Sequence, residues 1–83
     1  MSITGILNKA FKLNGLTVDY SAIETFEKFL KTYPEDQMSV IIKQTIDILL
    51  RQELSTCLIT ASALQTAIDI STKERHLVGY NIS

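Results

Sequence analysis

At 83 residues with 46% hydrophobic side chains, the chain has material for one globular core and not two, because so short a chain buries only about 60–65% of its unfolded surface. Eight Lys and Arg against nine Asp and Glu leave a net charge of −1, which argues against the basic excess with which dedicated nucleic-acid binders displace counterions from phosphates. Cys57 is the only cysteine, so no internal disulfide forms and a reducing intracellular compartment is expected.

The start, Met1-Ser2-Ile3-Thr4-Gly5, has no basic leader and reads as a natural initiation site. The longest apolar runs, Val40-Ile41-Ile42 and Ile48-Leu49-Leu50, fall far short of the roughly 20 residues that span a bilayer. A first helix is predicted from Ser2, a good N-cap, with Ile3, Ile6, Leu7, Ala10 and Phe11 at helical spacing. Asn14-Gly15 supplies a left-handed stop, after which Leu16 folds back on Phe11 in a Schellman closure. Leu16-Thr17-Val18 is then a short extended link, long enough for a pair of backbone hydrogen bonds with an equivalent stretch.

Ser21-Ala22-Ile23-Glu24 matches a capping box and predicts the start of a second helix. Ala22, Ile23, Phe26, Phe29, Leu30 and Tyr33 form its apolar stripe, and Pro34 ends it. Glu24/Lys28 and Glu27/Lys31 stand four apart with the acid first, the favourable order for ion pairs on a wetted face. Glu35 and Asp36 fall in the first turn of a third helix, where carboxylates complement the positive end of the dipole. Met38, Ile41, Ile42, Thr45, Ile46, Ile48, Leu49 and Leu50 cover more than one stripe, so this helix is predicted to be the spine of the core. A fourth helix starts between Thr56 and Ser62 and presents Ala61, Leu64, Ala67 and Ile68 on a narrow face.

A shift of 38 positions (Leu54 minus Leu16) pairs Ile3 with Ile41, Phe11 with Leu49, Leu16 with Leu54, Phe26 with Leu64 and Leu30 with Ile68. The chain therefore reads as two helix–link–helix units, each too small to bury its own stripe. The links Leu16-Thr17-Val18 and Leu54-Ser55-Thr56 are expected to pair as two short β-strands. The whole is an all-α four-helix bundle, a monomer whose core contains Leu7, Phe11, Leu16, Phe26, Leu30, Ile42, Ile46, Leu49, Leu64 and Ile68.

That domain is placed at residues 1–72, with 73–83 as a linker and tail. The tail sets Leu77, Val78, Tyr80 and Ile82 beyond a polar stretch, and these four are the candidate partner-binding residues, leading either back onto the bundle or into a larger subunit. Chemistry is sparse. Cys57 and the only histidine, His76, lie in unrelated segments, and Gly5, Gly15 and Gly79 are isolated, so neither a nucleophile–base pair nor a phosphate-cradling loop is expected. Lys9, Lys12, Lys28 and Lys31 read as solvated surface charges. No enzyme, cofactor or metal is expected.

The run ILNKAFKLNGLTVDYSAIETFEKFL, Ile6 to Leu30, resembles the N-terminal domain of the second (B) subunit of DNA polymerase epsilon, with its Phe-Lys-Leu-x-Gly-Leu link. IIKQTIDILLRQELSTCLITASALQTAI, Ile41 to Ile68, resembles that domain's second helix pair. The resemblance implies a four-helix unit with two short strands, similar to the helical lid domain of AAA+ ATPases. It further implies a nuclear, noncatalytic accessory subunit that helps to dock the leading-strand polymerase to the replicative helicase through the GINS complex. Its partners would be the other polymerase epsilon subunits and GINS, with no direct nucleic-acid contact and no membrane. Nucleotide binding does not carry over from the lid likeness: Pro34, Glu35 and Asp36 stand where a lid directs an arginine at a phosphate, and they would repel it. The competing reading is an unrelated small helical adaptor or scaffold.

Overall fold

The computed structural model describes residues 3–52 and 58–82, those of 77–82 in backbone only. Four helices follow one another: α1 (Ile3–Leu13), α2 (Tyr20–Leu30), α3 (Met38–Arg51) and α4 (Ala61–Ile82), with a 3-10 turn, Glu35–Gln37, leading into α3. All ten residues predicted for the core are buried, joined by Ala22, Ile23, Ile41, Ile48, Ile59 and Ala67. Burial of each large apolar side chain contributes about 1.5–3 kcal/mol, so this single cluster holds the helices together.

α1 ends as expected. Gly15 adopts φ +70°, the Leu16 amide donates to Phe11 O at 2.9 Å and the Gly15 amide to Lys12 O at 3.1 Å, the two bonds of a Schellman motif. Leu16 and Phe11, the apolar pair of that motif, are both buried. Glycine is required here because a Cβ in the left-handed region crowds the following carbonyl.

The second helix starts earlier than the capping box predicted. Asp19 is its N-cap, and its carbonyl accepts from the amides of Ala22 and Ile23 at 3.0 and 3.1 Å. Ser21 lies inside the first turn and its hydroxyl donates to the Asp19 carboxylate at 3.0 Å. The regular helix also stops earlier, at Leu30, and the chain tightens to i→i−3 bonds, Thr32 N to Phe29 O and Tyr33 N to Leu30 O, before Pro34 turns it. The two carboxylates predicted for the first turn of the third helix sit in the 3-10 turn that precedes it. α3 is the spine predicted: it buries Ile41, Ile42, Thr45, Ile46, Ile48 and Leu49 and packs against both α1 and α4. Leu50, read as part of that spine, stands 38% exposed.

The expected pair of strands is not formed among the described residues. One isolated parallel bridge joins Val18 to Ile59, in which the Ile59 amide donates to Thr17 O and the Asp19 amide to Ile59 O, both at 2.9 Å. Leu54-Ser55-Thr56, the partner predicted for the first link, lies outside the described residues. The physical reason for the altered pairing is link length: residues 14–19 connect α1 to α2, whereas the longer stretch 52–60 connects α3 to α4. The ends of α1 and α3 keep the 38-residue offset, Arg51 minus Leu13, but Ile59 minus Val18 and Ala61 minus Tyr20 are both 41. The extra three residues move the partner from Thr56 to Ile59.

α4 opens where the Thr60 hydroxyl accepts from the Ala63 amide at 3.3 Å, a conventional N-cap contact. It does not stop at the polar stretch read as the start of a linker; its backbone remains helical through Ile82. Two side chains tie that stretch to the bundle. Glu74 meets Arg51 at 3.3 Å, and Arg75 reaches Gln44 at 3.1 Å, so Glu74 and Arg75 are anchored to α3.

Candidate functional site

The four partner-binding candidates, Leu77, Val78, Tyr80 and Ile82, occupy the last two turns of α4, and their side chains lie outside the described residues. Cys57 does too, while His76 is exposed on α4. Among the described residues no group of three His, Cys, Asp or Glu side chains stands close enough to hold a metal ion, and no helix is long and apolar enough to cross a membrane.

Two polar clusters are built, and both lock helices together. Arg75 Nη1 donates to Gln44 Oε1 at 3.1 Å and to the buried Ser71 hydroxyl, while Nη2 donates to Thr72 Oγ1 at 3.2 Å. The guanidinium carbon lies 5.8 Å from the centroid of Tyr33, a cation–π distance. Arg75 is thus a strut between α4, α3 and the turn after α2, and its contacts make the otherwise costly burial of Ser71 acceptable. In the second cluster the Thr4 hydroxyl donates to Glu27 Oε2, and Lys31 Nζ lies 3.3 Å from Glu27 Oε1. The Thr4 hydrogen bond first, and Lys31 second, hold the Glu27 carboxyl below its ordinary value. Glu27 and Lys31 form one of the two ion pairs predicted on this helix.

A concave feature lies between α1 and α3. Two adjoining hollows of about 430 and 450 Å³ share Ile6, Ser39 and Ile42, and so form one groove. Ala10 and Ile46 continue its apolar floor at one end, and Tyr33 and Met38 at the other. Leu13, 77% exposed, stands on its α1 wall, and Glu35 in the 3-10 turn with Lys43 and Asp47 on α3 stand along the opposite wall. Sequence reasoning placed Ile6 and Ala10 in the core stripe and left Leu13 aside. The available signal was width: Ile6, Ala10 and Leu13 make a second apolar edge beside Leu7 and Phe11, wider than a helix needs to cover one neighbour.

The described residues build a small all-helical domain whose polar clusters join its helices and whose α1/α3 groove has an apolar floor. A family model described as DNA polymerases epsilon N terminal matches residues 5–70. The chain therefore belongs to the DNA polymerase epsilon N-terminal family, the domain of the polymerase's second subunit to which the resemblance pointed. No curated protein and no solved structure matches the chain significantly.

Proposed function

We propose that this domain is a noncatalytic protein-interaction module of the DNA polymerase epsilon accessory (B) subunit, acting in the nucleus to help dock the leading-strand polymerase to the replicative helicase through GINS. The observation that carries the reading is the family match over residues 5–70; it also disfavours the competing reading of an unrelated adaptor. The apolar groove and near-zero net charge support a protein partner over nucleic acid, since phosphate binding depends on cation excess. The AAA+ lid likeness implied by the family adds no nucleotide role, because Glu35 and Asp36 face the solvent ahead of α3.

The test is a two-dimensional NMR titration of the labelled chain with purified GINS, run beside one with duplex DNA. Localised shifts with GINS are expected, with an affinity that varies far less with salt than a complex releasing many counterions. Shifts with DNA and none with GINS would replace this reading with a nucleic-acid role.

A further inference from the structure

The geometry points to the α1/α3 groove as the seat of one amphipathic helix from a protein partner, carrying basic residues towards both ends and an acidic residue between them. The inference deepens the docking reading and rests on it only for the partner being a protein.

Three observations select that occupant. The first is the backbone of the walls. Both are helical along most of their length, so they offer no row of free amides and carbonyls to pair with, and an extended peptide lying there would leave its own backbone groups without protein partners. A helix satisfies its backbone internally and offers only side chains to an apolar floor. The second is length: from Glu35 in the 3-10 turn to Asp47 on α3, both lining the groove, the wall runs about 18–20 Å at roughly 1.5 Å per α-helical residue and about 2 Å per 3-10 residue, or about three turns of an occupant.

The third is charge. Glu35, Lys43 and Asp47 stand on the rim in the order acid, base, acid, and among the described residues none of the three has an ion-pair partner. Glu27–Lys31 and Arg51–Glu74, by contrast, are closed. An occupant with base, acid and base opposite them meets every rim charge with its opposite. A second copy of the chain does not: the two-fold arrangement that overlays the full groove sets Glu35 against Asp47 of the other copy, and two concave faces leave each other unfilled. None of the described side chains of α4 lines either hollow, and its backbone runs on as a continuous helix to Ile82. Nucleic acid is disfavoured because two of the three rim charges repel phosphate.

The experiment uses a designed 15-residue amphipathic helix with leucines on one face, lysines set to reach Glu35 and Asp47, and a glutamate set to reach Lys43. It is made in both chain directions and beside a control with the three charges inverted. Each peptide is titrated into the labelled 83-residue chain, and purified GINS is titrated separately. The expected result is shifts confined to α1 and α3 around Ile6, Ala10, Ile42 and Lys43, at least tenfold weaker binding of the inverted peptide, and a smaller preference between the two in Lys43→Glu. Because Lys43 is exposed, that variant keeps the fold, which its unchanged spectrum outside the groove verifies. Equal binding of both peptides, binding of neither, or shifts confined to α2 and α4 would overturn the inference. If GINS shifts another face and neither peptide binds, docking survives and the groove inference falls; if a peptide binds as expected and GINS does not, the groove inference stands and the GINS reading falls.

Discussion

The two helix pairs of this domain share a layout and fill it with different materials. In the first pair the packing is aromatic: Phe11 of α1 and Phe26 of α2 lie 6.1 Å apart, and along α2 and the turn after it Phe26 and Phe29 lie 6.4 Å apart and Phe29 and Tyr33 5.0 Å. In the second pair the corresponding buried positions are aliphatic or small, namely Leu49, Leu64, Ala67 and Ser71. At the 41-residue offset of the second halves, Ile23, Phe26 and Leu30 correspond to Leu64, Ala67 and Ser71, all six buried. A large ring on one side is answered by a small side chain on the other. Pseudo-symmetry therefore specifies where side chains point, while volume complementarity decides which of them are large.

The sharpest way to break that complementarity is at the equivalent pair Phe26 and Ala67, both fully buried. Phe26→Ala should cost about 3–5 kcal/mol through lost transfer energy and a cavity. Ala67→Leu should cost about 1–3 kcal/mol through overpacking. Thermal unfolding of both variants checks the pair; an unchanged midpoint for Phe26→Ala would remove Phe26 from the core.

A smaller effect separates the two links. Gly15→Ala should cost about 1–2 kcal/mol from the left-handed backbone alone, because an added Cβ there meets nothing within 4 Å. Gln52, which closes the first helix of the second pair at φ −83°, needs no glycine, and Gln52→Ala should stay within about 0.5 kcal/mol. Urea titration of the two variants reads the difference.

Thr45, the counterpart of Leu7 at the 38-residue offset, is fully buried and its hydroxyl has no hydrogen-bond partner among the described residues. Thr45→Val should raise stability by about 1 kcal/mol, since it removes an unsatisfied polar atom at nearly constant shape; a lower chemical-denaturation midpoint would mean that the hydroxyl is satisfied in solution.

The gentlest probe is pH. Glu27 is held below its ordinary value by Thr4 and Lys31, so its folded pKa is lower than its unfolded one. The stabilisation it gives is present above the unfolded pKa and fades as pH falls through the folded one. Glu27→Gln should flatten that acid-side fall slightly, as read by denaturation midpoints of both proteins across the acid range, with the Glu27 carboxyl resonance of the unsubstituted chain followed over the same range.

The core was legible in the sequence because periodicity is a local property. All ten predicted core residues are buried, and the Gly15 closure formed as predicted, since its glycine, its asparagine and Leu16 are neighbours in the chain. Register between distant segments was less legible. A single offset fitted the first helices, and nothing in the letters marked that the second connection is longer until both helix starts were located. The groove escaped for a related reason. Whether Ile6 and Ala10 face the core or an opening depends on how far α1 stands from α3, a distance that no spacing within α1 encodes. The α4 boundary was misread because Lys73, Glu74 and Arg75 look like a solvated linker, whereas Glu74 and Arg75 reach across to Arg51 and Gln44.

The bridge between Val18 and Ile59 also bears on the order of folding. Each helix pair closes over a short stretch of chain, but the bridge joins residues 41 positions apart (Ile59 minus Val18), and closing so long a loop is entropically costly until the flanking helices have docked. Its two hydrogen bonds are therefore expected to form late, after the pairs have found each other. The amides of Asp19 and Ile59, both donors in that bridge, become reporters of the domain acting as one unit: their hydrogen exchange should proceed through separation of the two pairs, and so more slowly than exchange from the fraying end of any single helix.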